Sequence, residues 1–295
     1  MNILLKMQLR NEEASMYKIV KKKELNPTVV LMEIAAPAIA KKAEPGQFII
    51  LRVDEEGERI PLTIADYDRS QGTVTIIFQV VGKATTALSE LEEGEMICDF
   101  VGPLGVASHV EGLKKVAVIG GGVGSAIAYP VAKKLHNLGA KVDVVVGFRN
   151  KDLLILEEEF RAASDRLFIM TDDGSYGEKG LVTTALEKLI KEGNEYDEVI
   201  AIGPLVMMKF VAQLTKQYGI KTVVSMNPIM IDGTGMCGGC RLTVGGEVKF
   251  ACVDGPDFDG HEVDFDEAIS RSSMYKDFER ESLEDHCNLM KEEVQ

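Results

Sequence analysis

Short apolar runs rich in β-branched residues dominate the first third of the chain. Between residues 17 and 105 they include YKIVKKKEL, TVVLMEIAA, QFIILRV, RIPLTIADY, TVTIIFQVV and EMICDFVGPLG. Turn pairs such as Asn26-Pro27 and Pro45-Gly46 separate them, as expected for strands. Many short strands in succession predict a small antiparallel β-barrel. One helix is predicted within it, over residues 84–91.

From Lys114 the pattern changes to alternating strands and helices. The apolar run KVAVIG is followed by a glycine-rich turn, by the amphipathic run AIAYPVAKKLHNLG and by a second apolar run, KVDVVVGF. Later strands are RLFIM, DEVIAIG and KTVVSM, and helices are predicted over 153–163, 182–192 and 206–218. Strands that alternate with helices predict a doubly wound, parallel α/β sheet.

Residues 227–255 are rich in Gly, Cys and Asp and contain one predicted hairpin, CRLTVGGEVKFAC. The acidic remainder is predicted to end in a helix over 274–291. The fold class is therefore β plus α/β with a C-terminal module. The expected domains are a barrel over 16–110, an α/β domain over 111–226 and a cysteine-bearing module with its tail over 227–295. Residues 1–15 are treated as an extension.

Charge and hydropathy limit the kinds of partner that we expect. The 295 residues carry 47 acidic and 33 basic side chains, a formal net charge of -14. Such a surface repels phosphate backbones, so nucleic acid is not an expected partner. No run of about 18 apolar residues predicts a membrane helix, and the first residues lack the pattern of a signal peptide. We therefore expect a cytoplasmic protein that does not enter membranes.

Three of the five cysteines follow one spacing, Asp232-x4-Cys237-x2-Cys240-x11-Cys252. Plant-type ferredoxins hold a 2Fe-2S cluster with Cys-x4-Cys-x2-Cys and a distant Cys, and Asp232 stands where their first Cys would be. The spacing favours such a cluster. A structural zinc site and unliganded cysteines are the alternatives, and an Asp before Gly is also a common turn residue. Cys98 and Cys287 are expected to be ordinary side chains.

The glycine-rich turn lies between a predicted strand and helix, where backbone amides and the helix N-terminus can receive a pyrophosphate. Its spacing differs from that of Rossmann dehydrogenases, and the second strand ends without their acidic residue. A tight turn without a ligand is the alternative. The candidate nucleotide-binding residues in this turn and at later strand ends are Gly120, Gly122, Gly124, Ser125, Arg149, Asp172, Gly203 and Pro204.

The order of these three regions resembles the ferredoxin-NADP reductase superfamily over about residues 16–255. Two barrel segments carry the likeness. One is similar to the segment in which an arginine meets the flavin phosphates and the next residues face the ring, and the other resembles the loop that binds the flavin pyrophosphate. The resemblance thus implies FAD-binding residues Arg59, Pro61, Leu62 and Thr63 in the first segment, and Gly82, Lys83, Ala84, Thr85 and Thr86 in the second.

The cysteine loop is most similar to that of the small, alpha subunit of NADH-dependent, electron-bifurcating ferredoxin:NADP oxidoreductases, also called sulfide dehydrogenases. Those proteins share Asp plus three Cys, whereas the electron-transfer subunit of dihydroorotate dehydrogenase has four Cys. The resemblance implies an oxidoreductase subunit with FAD, a 2Fe-2S cluster and NAD(H). It also implies a larger partner with flavin and 4Fe-4S clusters, and ferredoxin as an indirect partner. A dihydroorotate dehydrogenase subunit, a lone diaphorase and a zinc-stabilised nucleotide-binding protein are the alternatives.

Overall fold

A computed structural model describes residues 16–282 of the chain. Cys287, residues 1–15 and the part of the predicted terminal helix beyond 282 lie outside these residues. No helix within the described part is long and apolar enough to cross a membrane.

The first region is an antiparallel sheet of seven strands, in the order β6-β1-β2-β5-β4-β3-β7. Its inner face buries Ile34, Ile76 and Phe100 completely, which explains the apolar runs seen in the sequence. The predicted barrel is confirmed. Its elements are β1 (Tyr17–Asn26), β2 (Val29–Ala35), α1 (Pro37–Ala40), β3 (Phe48–Arg52), β4 (Ile60–Asp68), β5 (Thr73–Gln79), α2 (Lys83–Glu90), β6 (Met96–Ile97) and β7 (Asp99–Leu104).

The second region is a largely parallel sheet with helices on both faces. Its elements are β8 (Lys115–Gly121), α3 (Gly124–Asn137), β9 (Lys141–Phe148), a 3-10 turn (Lys151–Leu153), α4 (Glu157–Ala162), β10 (Arg166–Thr171), β11 (Glu178–Lys179), α5 (Val182–Lys191), β12 (Glu198–Ile202), α6 (Leu205–Gln217) and β13 (Thr222–Ser225). β8 and β9 are almost fully buried because both faces are covered. The predicted α/β sheet is confirmed, although the helix expected over 153–163 is shorter and begins at Glu157.

The C-terminal module contains β14 (Arg241–Val244), β15 (Glu247–Phe250), α7 (Ala251–Asp254), β16 (Asp257–Asp259) and α8 (Phe265–Ser272). β14 and β15 form the predicted hairpin, and both turn glycines have positive φ. The sequence did not predict β16, which pairs antiparallel with β13 and completes the order β11-β10-β9-β8-β12-β13-β16. The module therefore shares a sheet with the α/β region, and the division at residue 226 stays a prediction.

Candidate functional site

The four candidate metal ligands lie together, in the loop before β14 and on α7. Cys240 Sγ is 3.2 Å from Cys252 Sγ, and Cys237 Sγ is 3.5 Å from Asp232 Oδ1. Within residues 16–282 no group of three or more His, Cys, Asp or Glu side chains is arranged around one ion. The donors thus form two pairs. Each iron of a 2Fe-2S cluster takes two protein ligands, so this donor set fits that cluster.

The two pairs differ in exposure and in protonation. Cys240 and Cys252 are buried, and burial, with the neighbouring Cys240 thiol, raises the pKa of Cys252 to about 12. Cys237 is exposed. Backbone hydrogen bonds, above all from Thr234, hold the pKa of Asp232 below its usual value. Cys240 and Cys252 are therefore a buried, inner pair of thiols, and Asp232 with Cys237 is an outer pair that contains a carboxylate.

Asp232 also organises the turn in which it lies. Its Oδ1 accepts a hydrogen bond from the Thr234 amide at 3.0 Å, and its Oδ2 accepts bonds from the amides of Met236 and Cys237 at 3.2 Å each. The loop conformation and the position of the Asp232 carboxylate are thus fixed by the same contacts. A turn residue and a metal ligand are compatible roles for this side chain.

The outer pair opens onto an apolar surface. Met236, between the outer-pair residues Asp232 and Cys237, is 88% exposed, and Ile231 is 53% exposed. A cavity of about 250 Å³ adjoins Cys237 and is also lined by Ile231, Arg271 and Tyr275. The loop of residues 226–240, called the metal loop below, therefore reaches the protein surface at the outer pair.

The candidate nucleotide residues meet at one edge of the α/β sheet. β8 and β12 are neighbours, but the chain proceeds from β8 to β9 on one side and from β12 to β13 on the other. Ligands of open α/β sheets bind at such a switch point, beyond the carboxyl ends of the strands. The glycine-rich turn follows β8 and the Gly203-Pro204 turn follows β12, so both lie at this point.

Two glycines bring these turns into contact. A Cβ atom on Gly124 would lie 2.6 Å from Gly203 Cα, too close for any side chain. Beside this contact the Ser125 hydroxyl, in the first turn of α3, is buried and has no hydrogen-bond partner among the described residues. An unpaired buried hydroxyl is costly, and because the Ser125 amide already bonds the Gly122 carbonyl at 3.1 Å, the hydroxyl is the donor left for a ligand. The arrangement fits an anionic ligand such as a pyrophosphate.

Arg149 and Asp172 occupy the same edge, at the ends of β9 and β10. Both are exposed, and the Asp172 amide donates a hydrogen bond to the Phe148 carbonyl at 3.1 Å. The structure thus brings the candidate nucleotide residues to neighbouring strand ends, as the sequence predicts. It does not bring a carboxylate to the end of β9 itself.

The barrel candidates lie on β4 and at the start of α2. Pro61, Leu62 and Thr63 are half-buried and pair with β3. At α2 the Thr85 hydroxyl accepts hydrogen bonds from the amides of Val81 and Gly82, each at 3.0 Å. This cap shapes the loop and leaves the first-turn amides of the helix for another acceptor.

Arg59 makes a contact that the sequence did not predict. It directly precedes β4, and its Nε donates a hydrogen bond to the Ile231 carbonyl at 3.3 Å. The flavin-type segment and the metal loop, 172 residues apart in sequence, therefore touch. No local pattern signals a contact of this kind.

Comparisons with known proteins agree with these observations. Residues 227–264 match the iron-sulfur cluster binding domain of dihydroorotate dehydrogenase B. A Clostridium beijerinckii protein from the adh 3' region is 58% identical over 88% of this chain and 91% of its own length. A Thermotoga maritima homolog of the dihydroorotate dehydrogenase B (NAD(+)) electron transfer subunit is 48% identical over 90% of this chain and 94% of its own length.

One solved structure is also similar. It is the structure of an NADH-dependent reduced ferredoxin-NADP oxidoreductase, studied for flavin-based electron bifurcation, and its sequence is 47% identical to this chain. It has a TM-score of 0.87 over 92% of this chain and 98% of its own.

The barrel, the nucleotide edge and the paired donors define an electron-transferring oxidoreductase of the ferredoxin-NADP reductase fold. The matched iron-sulfur domain and this fold confirm the predicted cofactors as a set: FAD, a 2Fe-2S cluster and NAD(H). The chain belongs to the family of dihydroorotate dehydrogenase B electron-transfer subunits and their homologues. The residues assigned to each cofactor stay predictions.

Proposed function

We propose that this chain is the small subunit of an NADH-dependent ferredoxin:NADP oxidoreductase and carries electrons between NAD(H), FAD and a 2Fe-2S cluster. One observation carries the proposal: the two donor pairs lie beside each other, and their loop contacts the flavin-type barrel segment through Arg59. When bound, the flavin and the cluster together supply the conversion of a two-electron hydride into single electrons. The protein supplies the position and environment of each group.

Three sets of residues hold these groups in the proposal. Arg59 and the α2 N-terminus would bind the flavin phosphates, and Pro61, Leu62 and Thr63 would bind the rest of the flavin. The glycine-rich turn with Ser125 binds the pyrophosphate of NAD(H). Asp232 with Cys237, and Cys240 with Cys252, bind one iron each. The supporting facts are the shared sheet edge and the two donor pairs.

The proposed partner is a larger subunit with its own flavin and 4Fe-4S clusters, which passes electrons on to ferredoxin. Two facts support a partner at all: relatives are named as electron transfer subunits, and the outer donor pair adjoins exposed Met236 and Ile231. Exposed apolar side chains beside a redox group suit transient or stable contact with another protein.

A dihydroorotate dehydrogenase subunit is the second candidate, favoured by the domain match over 227–264. Asp232 is the residue that separates the two, because the dihydroorotate family has a fourth cysteine where this chain has a carboxylate. The Asp232 carboxylate lies 3.5 Å from Cys237 Sγ, close enough for both side chains to bind one iron. We therefore favour the ferredoxin:NADP oxidoreductase.

The purified protein should contain flavin and about two irons per chain, with broad visible absorption that reductant bleaches.

Asp232→Cys should keep the cluster but change its midpoint potential and electron paramagnetic resonance spectrum, since thiolate is a softer ligand than carboxylate. Glu247→Cys, at the start of β15 in the same module, is the matched control and should change neither. Finding zinc and no iron would refute the proposed function. An unchanged spectrum in Asp232→Cys would show that Asp232 is not a cluster ligand.

Ser125→Ala tests the nucleotide site separately. Hydrogen bonds to charged groups contribute about 1.5–3 kcal/mol, so the Kd for NADH should rise at least about tenfold. The melting temperature should not fall, because the hydroxyl has no partner among the described residues. Ser164→Ala removes a hydroxyl that bonds the Phe160 carbonyl and should leave NADH affinity unchanged. Titration of flavin-loaded protein with NADH, followed by fluorescence or calorimetry, measures both; equal affinities would exclude Ser125 from the site.

A further inference from the structure

The Arg59 contact joins the two halves of the proposed electron path. Its Nε lies 3.3 Å from the carbonyl oxygen of Ile231, the residue directly before Asp232. Within residues 16–282 the guanidinium makes no other hydrogen bond that meets ordinary geometry. Because Nε uses one of five N–H donors, the Nη groups stay available to a second acceptor.

The residue after Asp232 is held by the same barrel. Gly233 is buried with φ near +76°, and a Cβ there would lie 2.8 Å from Leu104 Cδ1 and 2.9 Å from Ile50 Cγ1. The loop backbone therefore lies directly on β3 and β7. Asp232 is flanked by two barrel contacts, one polar through Arg59 and one apolar through Gly233.

We propose that Arg59 is a positioning residue for the iron-sulfur cluster. It holds the Ile231 carbonyl, and through it the Asp232 side of the loop, against the barrel strand that carries the flavin segment. The inference rests on the proposed function. It adds a coupling: a contact from the flavin domain, in addition to the loop's own hydrogen bonds to Asp232, positions the outer donor pair.

Arginine suits this double contact better than lysine does. The guanidinium is a rigid fork, so Nε can bond a carbonyl on one side while Nη atoms bond an anionic acceptor on the other. A lysine ammonium keeps the positive charge for a phosphate but is a point charge on a flexible stem. Arg59→Lys should therefore separate flavin binding from loop positioning.

The test uses the full chain with FAD at saturating concentration. Arg59→Lys should retain flavin and iron, yet shift the g values and the midpoint potential of the cluster. It should also lose iron to a chelator about fivefold faster, the factor that corresponds to one net hydrogen bond of about 1 kcal/mol. Arg69→Lys is the matched control, because Arg69 pairs with Glu44 and the Ala43 carbonyl in the same barrel. It should leave the cluster unchanged.

Arg59→Gln provides a second variant, in which the charge is lost as well, and thermal melting establishes that both fold. If Arg59→Lys keeps both cofactors and shows the wild-type spectrum, potential and iron-loss rate, the inference is overturned. If either variant loses flavin while its cluster signals stay unchanged, Arg59 binds flavin only and the inference is again overturned. Wild-type protein without iron would instead overturn the proposed function, and this inference with it.

Discussion

Cys252→Ala should remove nearly all iron from the protein and leave the flavin in place. Cys252 is 2% exposed and is the partner of Cys240 in the inner donor pair. Without it, one iron would keep a single protein ligand, and no other His, Cys, Asp or Glu completes a metal-binding group among the described residues. Iron should fall from about two per chain to near zero. The FAD candidates belong to the barrel, and among the described residues none of them shares a hydrogen bond with the Cys252 side chain, so flavin content should hold.

Cys98→Ala is the matched control for that experiment. Cys98 precedes β7 in the barrel, and its Sγ lies 3.6 Å from Arg52 Nη2, apart from the donor pairs. The variant should retain full iron and flavin content. Metal and flavin determinations on both variants, with visible spectra, give the comparison. Two irons per chain in Cys252→Ala would show that the cluster is held by other residues.

Gly124→Ala should weaken both the fold and nucleotide binding. The added methyl group would lie 2.6 Å from Gly203 Cα and 2.8 Å from the Ile202 carbonyl oxygen. Both neighbours are backbone atoms at the end of β12, so neither can move by changing a rotamer. Overpacking of this kind costs about 1–3 kcal/mol, and it pushes apart the two turns that form the nucleotide edge. We expect a loss of about 2 kcal/mol and at least a tenfold rise in the NADH Kd.

Gly82→Ala is the appropriate comparison, since a Cβ at that position meets no atom within 4 Å and the backbone there is extended. Urea denaturation and NADH titration of both variants measure the two effects. The control should lose only a few tenths of a kcal/mol to about 1 kcal/mol, from a poorer helix cap. Wild-type stability in Gly124→Ala would mean that the two turns do not touch.

Residues with strong local patterns were predictable from the sequence. The apolar runs of β8 and β9 need a sheet covered on both faces, and the glycines between β8 and α3 fix the turn that places Ser125. The spacing from Asp232 to Cys252 likewise predicted that these four side chains lie together. In each case neighbouring positions determine the structure, so the chain can be interpreted without knowing its tertiary contacts.

Other features depend on distant partners and could not be predicted. β16 is a strand of three residues, Asp257–Asp259, and only its pairing with β13 makes it one. Helix α8 is short, and its Asp264 cap lies in an acidic stretch without an obvious period. The Arg59 bond to Ile231 spans 172 residues. The pairing of Cys240 with Cys252 likewise depends on where α7 packs, because Cys252 lies on that helix.

The antiparallel strand β16, which follows Cys252, ties the C-terminal module to the α/β region. Because β16 pairs with the outer edge of β13, the metal module contributes a strand to the nucleotide-binding sheet and is not a separate domain joined only by a linker. A chain cut after residue 226 would expose the edge of β13 to other molecules. Replacing this module with another one would therefore require a strand that can pair with the same edge of β13.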